Sequence, residues 1–285
     1  VNPLIGVPEL AMALASAQPP LLFDVRFPPA SPGWTAYQDK HIPGAVFLDR
    51  DEVLAGPPGT EPGEHGGRHP LPDPAALQEA LRDLGVTEDH PLVVYDEGVP
   101  PSGSAARAWW ILRWAGHPDV RVLDGGFAAW VADGRPTSDE RVERPRGDFT
   151  VRPGSMPVLD AAGAAARAAA GALLDARAPA RFRGEEEPLD PVAGRIPGAR
   201  NLPFAAVTGP DGRFLPPATL KALTEDLPEG EQIGTYCGSG ITAAHTALAL
   251  TTIGPAPALY VGSWSEWITD SSRPVETGPE SGEPS

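Results

Sequence analysis

The chain predicts an α/β protein written twice: two tandem domains, each a mainly parallel sheet flanked by helices. Three observations carry this. Short apolar, β-branched runs alternate with helical patterns along the 285 residues. A series of motifs recurs in the same order in both halves. The length suits two domains of ordinary size, since one takes ~100–200 residues.

The repeat runs through the whole chain. Leu22-Phe23-Asp24-Val25-Arg26 is echoed by Leu174-Asp175-Ala176-Arg177, and His41-Ile42-Pro43-Gly44-Ala45 by Arg195-Ile196-Pro197-Gly198-Ala199. Val94-Tyr95-Asp96-Glu97-Gly98 stands against Gly234-Thr235-Tyr236-Cys237-Gly238. Leu123-Asp124-Gly125-Gly126-Phe127 with Trp130 matches Tyr260-Val261-Gly262-Ser263-Trp264 with Trp267, and the halves close on Arg135-Pro136 and Arg273-Pro274. The offset shrinks from 151 (24 to 175) to 141 (96 to 237), so the first half carries extra loop, most visibly in the Gly/Pro-dense stretch 55–74. A period this long means duplicated domains rather than a solenoid.

Between the motifs, Pro74 to Leu84 spaces Leu77, Ala80, Leu81 and Leu84 as an amphipathic helix. Ser104 to Ala115, with Trp109, Trp110 and Trp114, is too apolar for a surface helix and is expected in the core. The charged, Pro-containing span from Thr137 to Pro157 lacks periodicity and reads as linker. The expected boundaries are 1–140 for the first domain, 155–275 for the second and 276–285 for a disordered Pro/Gly/Glu/Ser tail.

Composition removes several classes. A formal net charge of −16 argues against nucleic acid or an anionic membrane surface as partner. No apolar stretch approaches the ~20 residues of a membrane span. The first eighteen residues lack a basic region ahead of their apolar run, so no signal peptide is expected and a cytoplasmic setting is. One cysteine excludes an internal disulfide and a multi-cysteine zinc site. His65-Gly66-Gly67-Arg68-His69 places two histidines four apart, but its Gly-Gly interior opposes a helix and no third ligand is evident. Neither metal nor organic cofactor is expected.

That cysteine, Cys237, is the chemically telling residue. It ends a strand and opens Cys237-Gly238-Ser239-Gly240-Ile241-Thr242, after which an Ala-rich helix begins. The glycines let the backbone fold back so that successive N–H groups converge on one sulfur, at the positive end of a helix. Such a place stabilises a thiolate, the nucleophilic form of cysteine. A buried, inert cysteine is the bland reading. His245, three residues past Thr242, reads as a helical surface residue, and the other histidines as structural or surface residues.

Together the Asp-x-Arg strand end, the His-Ile-Pro-Gly-Ala turn, the strand–Cys–loop–helix and the Asp-Gly-Gly-Phe…Trp closing segment resemble the rhodanese family of sulfurtransferases in its tandem two-domain form. The resemblance implies two rhodanese-like domains, with one active loop in the second and a degenerate first domain, where Asp96 stands in place of cysteine. It implies a Cys237 persulfide held by the loop N–H groups of Gly238, Gly240, Ile241 and Thr242. The loop is similar to the Cys-Gly-Ser-Gly-Val-Thr-Ala of 3-mercaptopyruvate sulfurtransferases, in which the loop serine, here Ser239, pairs with an aspartate and a histidine matched by Asp51 and His69. That group also holds its donor's carboxylate with two arginines. Arg181 matches the first. The second falls where this chain reads Glu187-Pro188-Leu189-Asp190 and is absent, with Arg183 or Arg195 as candidate substitutes. The loop points to mercaptopyruvate and the missing arginine to thiosulfate, so both donors stay open.

The expected partners are a small-molecule donor and a cyanide, thiol or thioredoxin acceptor. Two alternatives remain. A cysteine phosphatase or arsenate reductase would need Cys-x5-Arg, where this chain has Ala243. A non-catalytic binding module would normally lack the cysteine altogether.

Overall fold

The computed structural model describes residues 2–27, 32–99, 101–228 and 232–279. They divide into two compact units: Val1–Gly56, Pro72–Met156 and Thr208–Phe214 form the first, and Pro57–Leu71, Pro157–Val207 and Leu215–Ser285 the second. Residues 57–71 thus belong to the unit that contains Cys237, although they lie in the first half of the chain.

The first unit runs β1 (Leu4–Ile5), α1 (Val7–Leu14), β2 (Leu21–Asp24), α2 (Gly33–Asp39), β3 (Val46–Phe47), α3 (Arg50–Val53), α4 (Pro74–Asp83), β4 (Leu92–Tyr95), α5 (Ser104–Trp114), β5 (Val120–Leu123) and α6 (Gly126–Ala132). Its strands form one sheet in the order β1-β5-β4-β2-β3, every pair parallel. The central strands β2 and β4 are buried at every position, as a parallel sheet covered on both faces requires. Helix α5 is buried at ten of its eleven residues, with Trp110 fully enclosed, as its composition predicts. Helix α4 shows the amphipathic pattern, burying Leu77 and Leu81 under an Asp73 cap that accepts from the N–H groups of Ala75 and Ala76.

The second unit runs β6 (Val158–Leu159), α7 (Ala161–Ala169), β7 (Leu173–Asp175), α8 (Pro179–Phe182), β8 (Arg200–Asn201), a 3₁₀ turn (Phe204–Val207), α9 (Pro217–Ala222), β9 (Gly234–Tyr236), α10 (Ile241–Thr251), β10 (Ala258–Tyr260) and α11 (Ser263–Trp267). The sheet order β6-β10-β9-β7-β8, again all parallel, reproduces that of the first unit strand for strand.

The repeated motifs prove to be repeated structural solutions. Asp24 and Arg26 form a buried ion pair at the end of β2, and Asp175 and Arg177 form its copy at the end of β7. In each copy the arginine also donates its backbone N–H to the aspartate, at 3.0 and 2.9 Å. The Ile-Pro-Gly turns dock through Ile42 and Ile196, whose N–H groups donate to the hydroxyls of Tyr95 and Tyr236 at 3.1 and 3.2 Å. Trp130 and Trp267 close their units by donating from the indole to the carbonyls of Pro136 and Pro274, which explains the paired Arg-Pro endings.

The span between the units is ordered along the first. Ser138 pairs with His41 through both backbone groups, and Phe149 is fully buried. In the tail, Glu276 exchanges backbone hydrogen bonds with Arg195, and Gly278 donates to the Arg183 carbonyl. Residues 280–285 lie outside the described residues. No helix among the described residues is long and apolar enough to cross a membrane.

Glu97, beside Asp96 after β4, gives a stability prediction. Burial first, and the Asp96 charge second, push its carboxyl up to about 7 from 4.5. A folded-state value above the unfolded one penalises the ionised fold, so this group's contribution to stability rises as pH falls from about 7 towards 4.5. Glu97→Gln removes the penalty. At pH 8 the variant is expected to be more stable by ~1–3 kcal/mol, with the advantage narrowing by pH 5. Urea midpoints at the two pH values check this, and an equal gain at both would contradict it.

Candidate active site

Strand β9 delivers Cys237 to the carboxyl edge of the second sheet, and α10 starts four residues later behind Gly240, which takes φ +82°. That left-handed turn is glycine's to make. It aims the Gly240 N–H at Cys237 Sγ, 3.1 Å away. The cysteine's own N–H donates to Ser263 Oγ at 3.1 Å, while its carbonyl accepts from Trp264 N at 3.0 Å. Ser263 itself sits at φ +53°, a costly conformation for serine, and donates its hydroxyl to the Tyr260 carbonyl at 2.9 Å. The cysteine is therefore pinned from both sides, at 2% exposure, with its sulfur turned to a backbone donor. Ser239 and Ile241 are buried beside it, and Thr242 is the second residue of α10.

Over this loop stand two guanidinium groups. A methyl group placed on Gly238 would lie 2.8 Å from Arg68 Nη2 and 3.4 and 3.5 Å from Arg181 Nη2 and Nη1. Arg181, from α8, donates to Glu187 at 2.5 and 3.1 Å and to Asp190 at 3.2 Å, and Arg68 pairs with the other oxygen of Asp190. Glu187 also meets Arg177 at 3.4 Å. An alternating chain of charges thus runs Asp175–Arg177–Glu187–Arg181–Asp190–Arg68, from the buried sheet edge to the cysteine loop. Burial raises the Asp190 carboxyl above its ordinary value, although Arg68 pulls it down.

Of the residues expected in the site, the second unit contains Cys237, Gly238, Ser239, Gly240, Ile241, Thr242, Arg181 and also His69. Asp51 lies in the first unit, on α3, with its carboxylate accepting from Arg50 Nε at 2.8 Å. Neither candidate substitute for the missing arginine is the one beside the loop. Arg195 is buried over the Phe182 ring and bound to Glu276, and Arg183 pairs with Glu185. His245 is corrected: it is buried at 6% exposure, edge-on to Phe204 at 5.9 Å, because α10 is enclosed along almost its whole length.

The two sheets of one topology, the paired Asp–Arg and Tyr contacts, and the cysteine at the strand–loop–helix junction decide the comparison with known proteins. The rhodanese-like domain family matches residues 7–133 and again 160–270. The chain belongs to the rhodanese family of sulfurtransferases. Among its relatives in that family, a probable 3-mercaptopyruvate sulfurtransferase of Pseudomonas aeruginosa is 49% identical, over 96% of this chain and 98% of that protein. A putative thiosulfate sulfurtransferase of Mycobacterium tuberculosis is 42% identical over 96% and 97%. The crystal structure of SseA from Escherichia coli, a 3-mercaptopyruvate sulfotransferase with the rhodanese fold, superposes with a TM-score of 0.78 at 33% identity, covering 93% of this chain and all of that one.

Arg68, whose guanidinium stands over Gly238, is not singled out by the motifs alone, yet the repeat contains a signal for it. Gly67-Arg68 lies ahead of the Pro74 that opens α4, and Gly212-Arg213 lies ahead of the Pro217 that opens α9. The offset of 145 (68 to 213) falls between those of the flanking motifs. The segment is fixed in the second unit by several contacts. Arg68 N donates to Ser265 Oγ at 3.0 Å, Gly63 N to the Thr269 carbonyl at 3.2 Å, and Thr269 Oγ1 to the Glu64 carbonyl at 3.0 Å. Gly67, at φ +67°, leaves room for no side chain: a Cβ there would lie 2.4 Å from the Gly262 carbonyl oxygen.

Proposed function

We propose that Cys237 is the nucleophile of this sulfurtransferase and that 3-mercaptopyruvate is its donor. The observation that carries the reading is the hydrogen bond from Gly240 N–H to Cys237 Sγ, beneath a guanidinium aimed at the neighbouring Gly238. A backbone donor that meets a thiolate meets the persulfide equally well, since both are sulfur anions. The Gly238-Ser239 pair carries no basic side chain of the kind associated with thiosulfate preference, and the relative of 49% identity bears the mercaptopyruvate name.

In the first half-reaction the Cys237 thiolate attacks the donor's sulfur. An S–S bond forms, the C–S bond breaks, and its electron pair leaves as pyruvate enolate. The donor's thiol proton ends on the enolate carbon, which gives pyruvate and a Cys237 persulfide anion. Ser239 and His69, both in the second unit, are assigned to relaying that proton. In the second half-reaction a cyanide, thiol or thioredoxin acceptor takes the outer sulfur and restores the thiolate, the ping-pong pattern of covalent catalysis.

The first unit serves no such chemistry in this reading. Asp96 occupies the cysteine position, and its own carboxylate accepts from Gly98 N, Ala105 N and Ser102 Oγ at 3.0–3.1 Å. The cradle is filled by an internal anion.

Thiocyanate formation with cyanide, measured with 3-mercaptopyruvate and thiosulfate in parallel, tests the donor. The expected result is a kcat/KM at least ~10-fold higher for 3-mercaptopyruvate, the worth of one charge-assisted hydrogen bond. A preference for thiosulfate would reverse the donor assignment, and turnover of neither would remove the reading altogether.

A further inference from the structure

We propose that the first unit carries a binding site for a small apolar carboxylic acid, seated on the turn at Gly44 and separate from the chemistry of Cys237. Two copies of one turn point to it. Ile42-Pro43-Gly44-Ala45 and Ile196-Pro197-Gly198-Ala199 each close with a hydrogen bond from alanine N to isoleucine O at 3.0 Å, and their glycines take φ +83° and +82°. In the second unit the Gly198 N–H donates to Glu276 Oε2 at 3.1 Å, while the other oxygen of that carboxylate accepts from Arg195 Nη2 at 2.5 Å. Glu276 is placed there by its backbone pairing with Arg195, and the matching pair in the first unit is Ser138 with His41. Ser138 carries no carboxylate, and its hydroxyl oxygen accepts from Glu140 N at 3.0 Å. The Gly44 N–H has no acceptor among the described residues. The fold builds one carboxylate seat twice and fills it from its own chain once.

The surroundings say what the carboxylate belongs to. A cavity of about 430 Å³ opens at Gly44, within the range of about 300–1,000 Å³ common for small-molecule sites. Its walls are apolar, with Leu14 from α1, Pro19, Pro20, Pro136 and Trp130, whose indole N–H is committed to the Pro136 carbonyl at 2.8 Å. The cavity has a cause in the chain. Residues 15–20 connect α1 to β2, whereas 170–172 suffice between α7 and β7. A Cβ on Gly198 would lie 2.7 Å from the Ala168 carbonyl oxygen of α7, while one on Gly44 would meet nothing within 4 Å. The prolines fix the walls before any ligand arrives, which lowers the ordering cost of binding.

The counter-charge is also at hand. Arg144 lines the cavity, donates through Nη2 to the Gly44 carbonyl at 3.3 Å, and has no carboxylate partner among the described residues. Arg135 lines it too, although paired with Asp133 at 2.8 Å. In a chain of formal net charge −16, a guanidinium without an acid, beside a backbone N–H without an acceptor, suits an anion from outside. The carboxylate takes the Gly44 N–H with Arg144 as its counter-ion, and the apolar remainder lies along Leu14 and Trp130.

The test is a titration of the full-length, nitrogen-15-labelled protein with 3-phenylpropanoate, followed by its amide and indole resonances. The Gly44 amide and the Trp130 indole are expected to shift together and saturate with one Kd. The neutral 3-phenylpropanamide keeps the ring and loses the charge, and acetate keeps the charge and loses the ring. Each should bind at least ~10-fold more weakly than the acid. Arg144→Ala should weaken the acid by ~10-fold and leave the amide within about twofold of its wild-type affinity. Absence of saturation at concentrations on the order of 10 mM overturns the proposal. So does an amide that binds as tightly as the acid, or an Arg144→Ala variant that binds the acid as the wild type does. Shifts centred on Gly238 and Gly240 instead of Gly44 also overturn it, since the acid would then sit at the cysteine loop. The three titrations of the wild type decide the matter by themselves should the Arg144 variant be unstable.

Discussion

Cys237→Ser is expected to lower sulfur transfer to cyanide by on the order of 10³-fold or more, the scale on which loss of a covalent nucleophile acts. It is the only cysteine in the chain, so no second thiol can take over. The substitution replaces sulfur by oxygen at a position already fixed by Ser263, Trp264 and Gly240, so the fold should survive it. A melting temperature close to wild type, with no sulfur gained on mixing with donor, is the expected pair of results. Turnover near the wild-type rate would remove Cys237 from the mechanism.

Arg177→Met should have the largest effect on stability. Arg177 and Asp175 are both at the floor of exposure, and the arginine also reaches Glu187, the Gly194 carbonyl and the face of Trp264 at 4.9 Å. Burial pulls the guanidinium down and Asp175 more than offsets it, which leaves Arg177 above its ordinary value and charged throughout. Removing it strands a buried carboxylate, at a cost of about 3–5 kcal/mol. Against a typical total of ~5–15 kcal/mol this is severe. The double variant with Asp175→Asn should recover part of the loss, since no charge is then left unpaired. Denaturation of the wild type, the two single variants and the double variant measures it. A single-variant cost below ~1 kcal/mol would show that the pair is not a keystone of the second unit.

The fold was legible because each motif performs the same local task twice. Asp-x-Arg builds a buried pair, Ile-Pro-Gly docks on a tyrosine hydroxyl, and the tryptophans close on prolines, so equal physical demands kept equal residues in both halves. The strand–loop–helix junction at Cys237 was legible because a glycine with positive φ must follow to bring an N–H back to the sulfur. His245 was misread because α10 is enclosed on nearly every side, which leaves no polar face for periodicity to find. Arg68 escaped for a different reason. Its place over the cysteine loop depends on a segment of one half lying in the unit of the other, and motif order is silent about which unit a loop joins.

Residues 57–71 are counted with the second unit and 208–214 with the first, and the two stretches occupy equivalent places in the repeat. Each half therefore lends the same piece of itself to the other. A gene cut in the span between the halves would encode two polypeptides, and neither would carry its full complement: the cysteine-bearing fragment would lack Arg68 and His69.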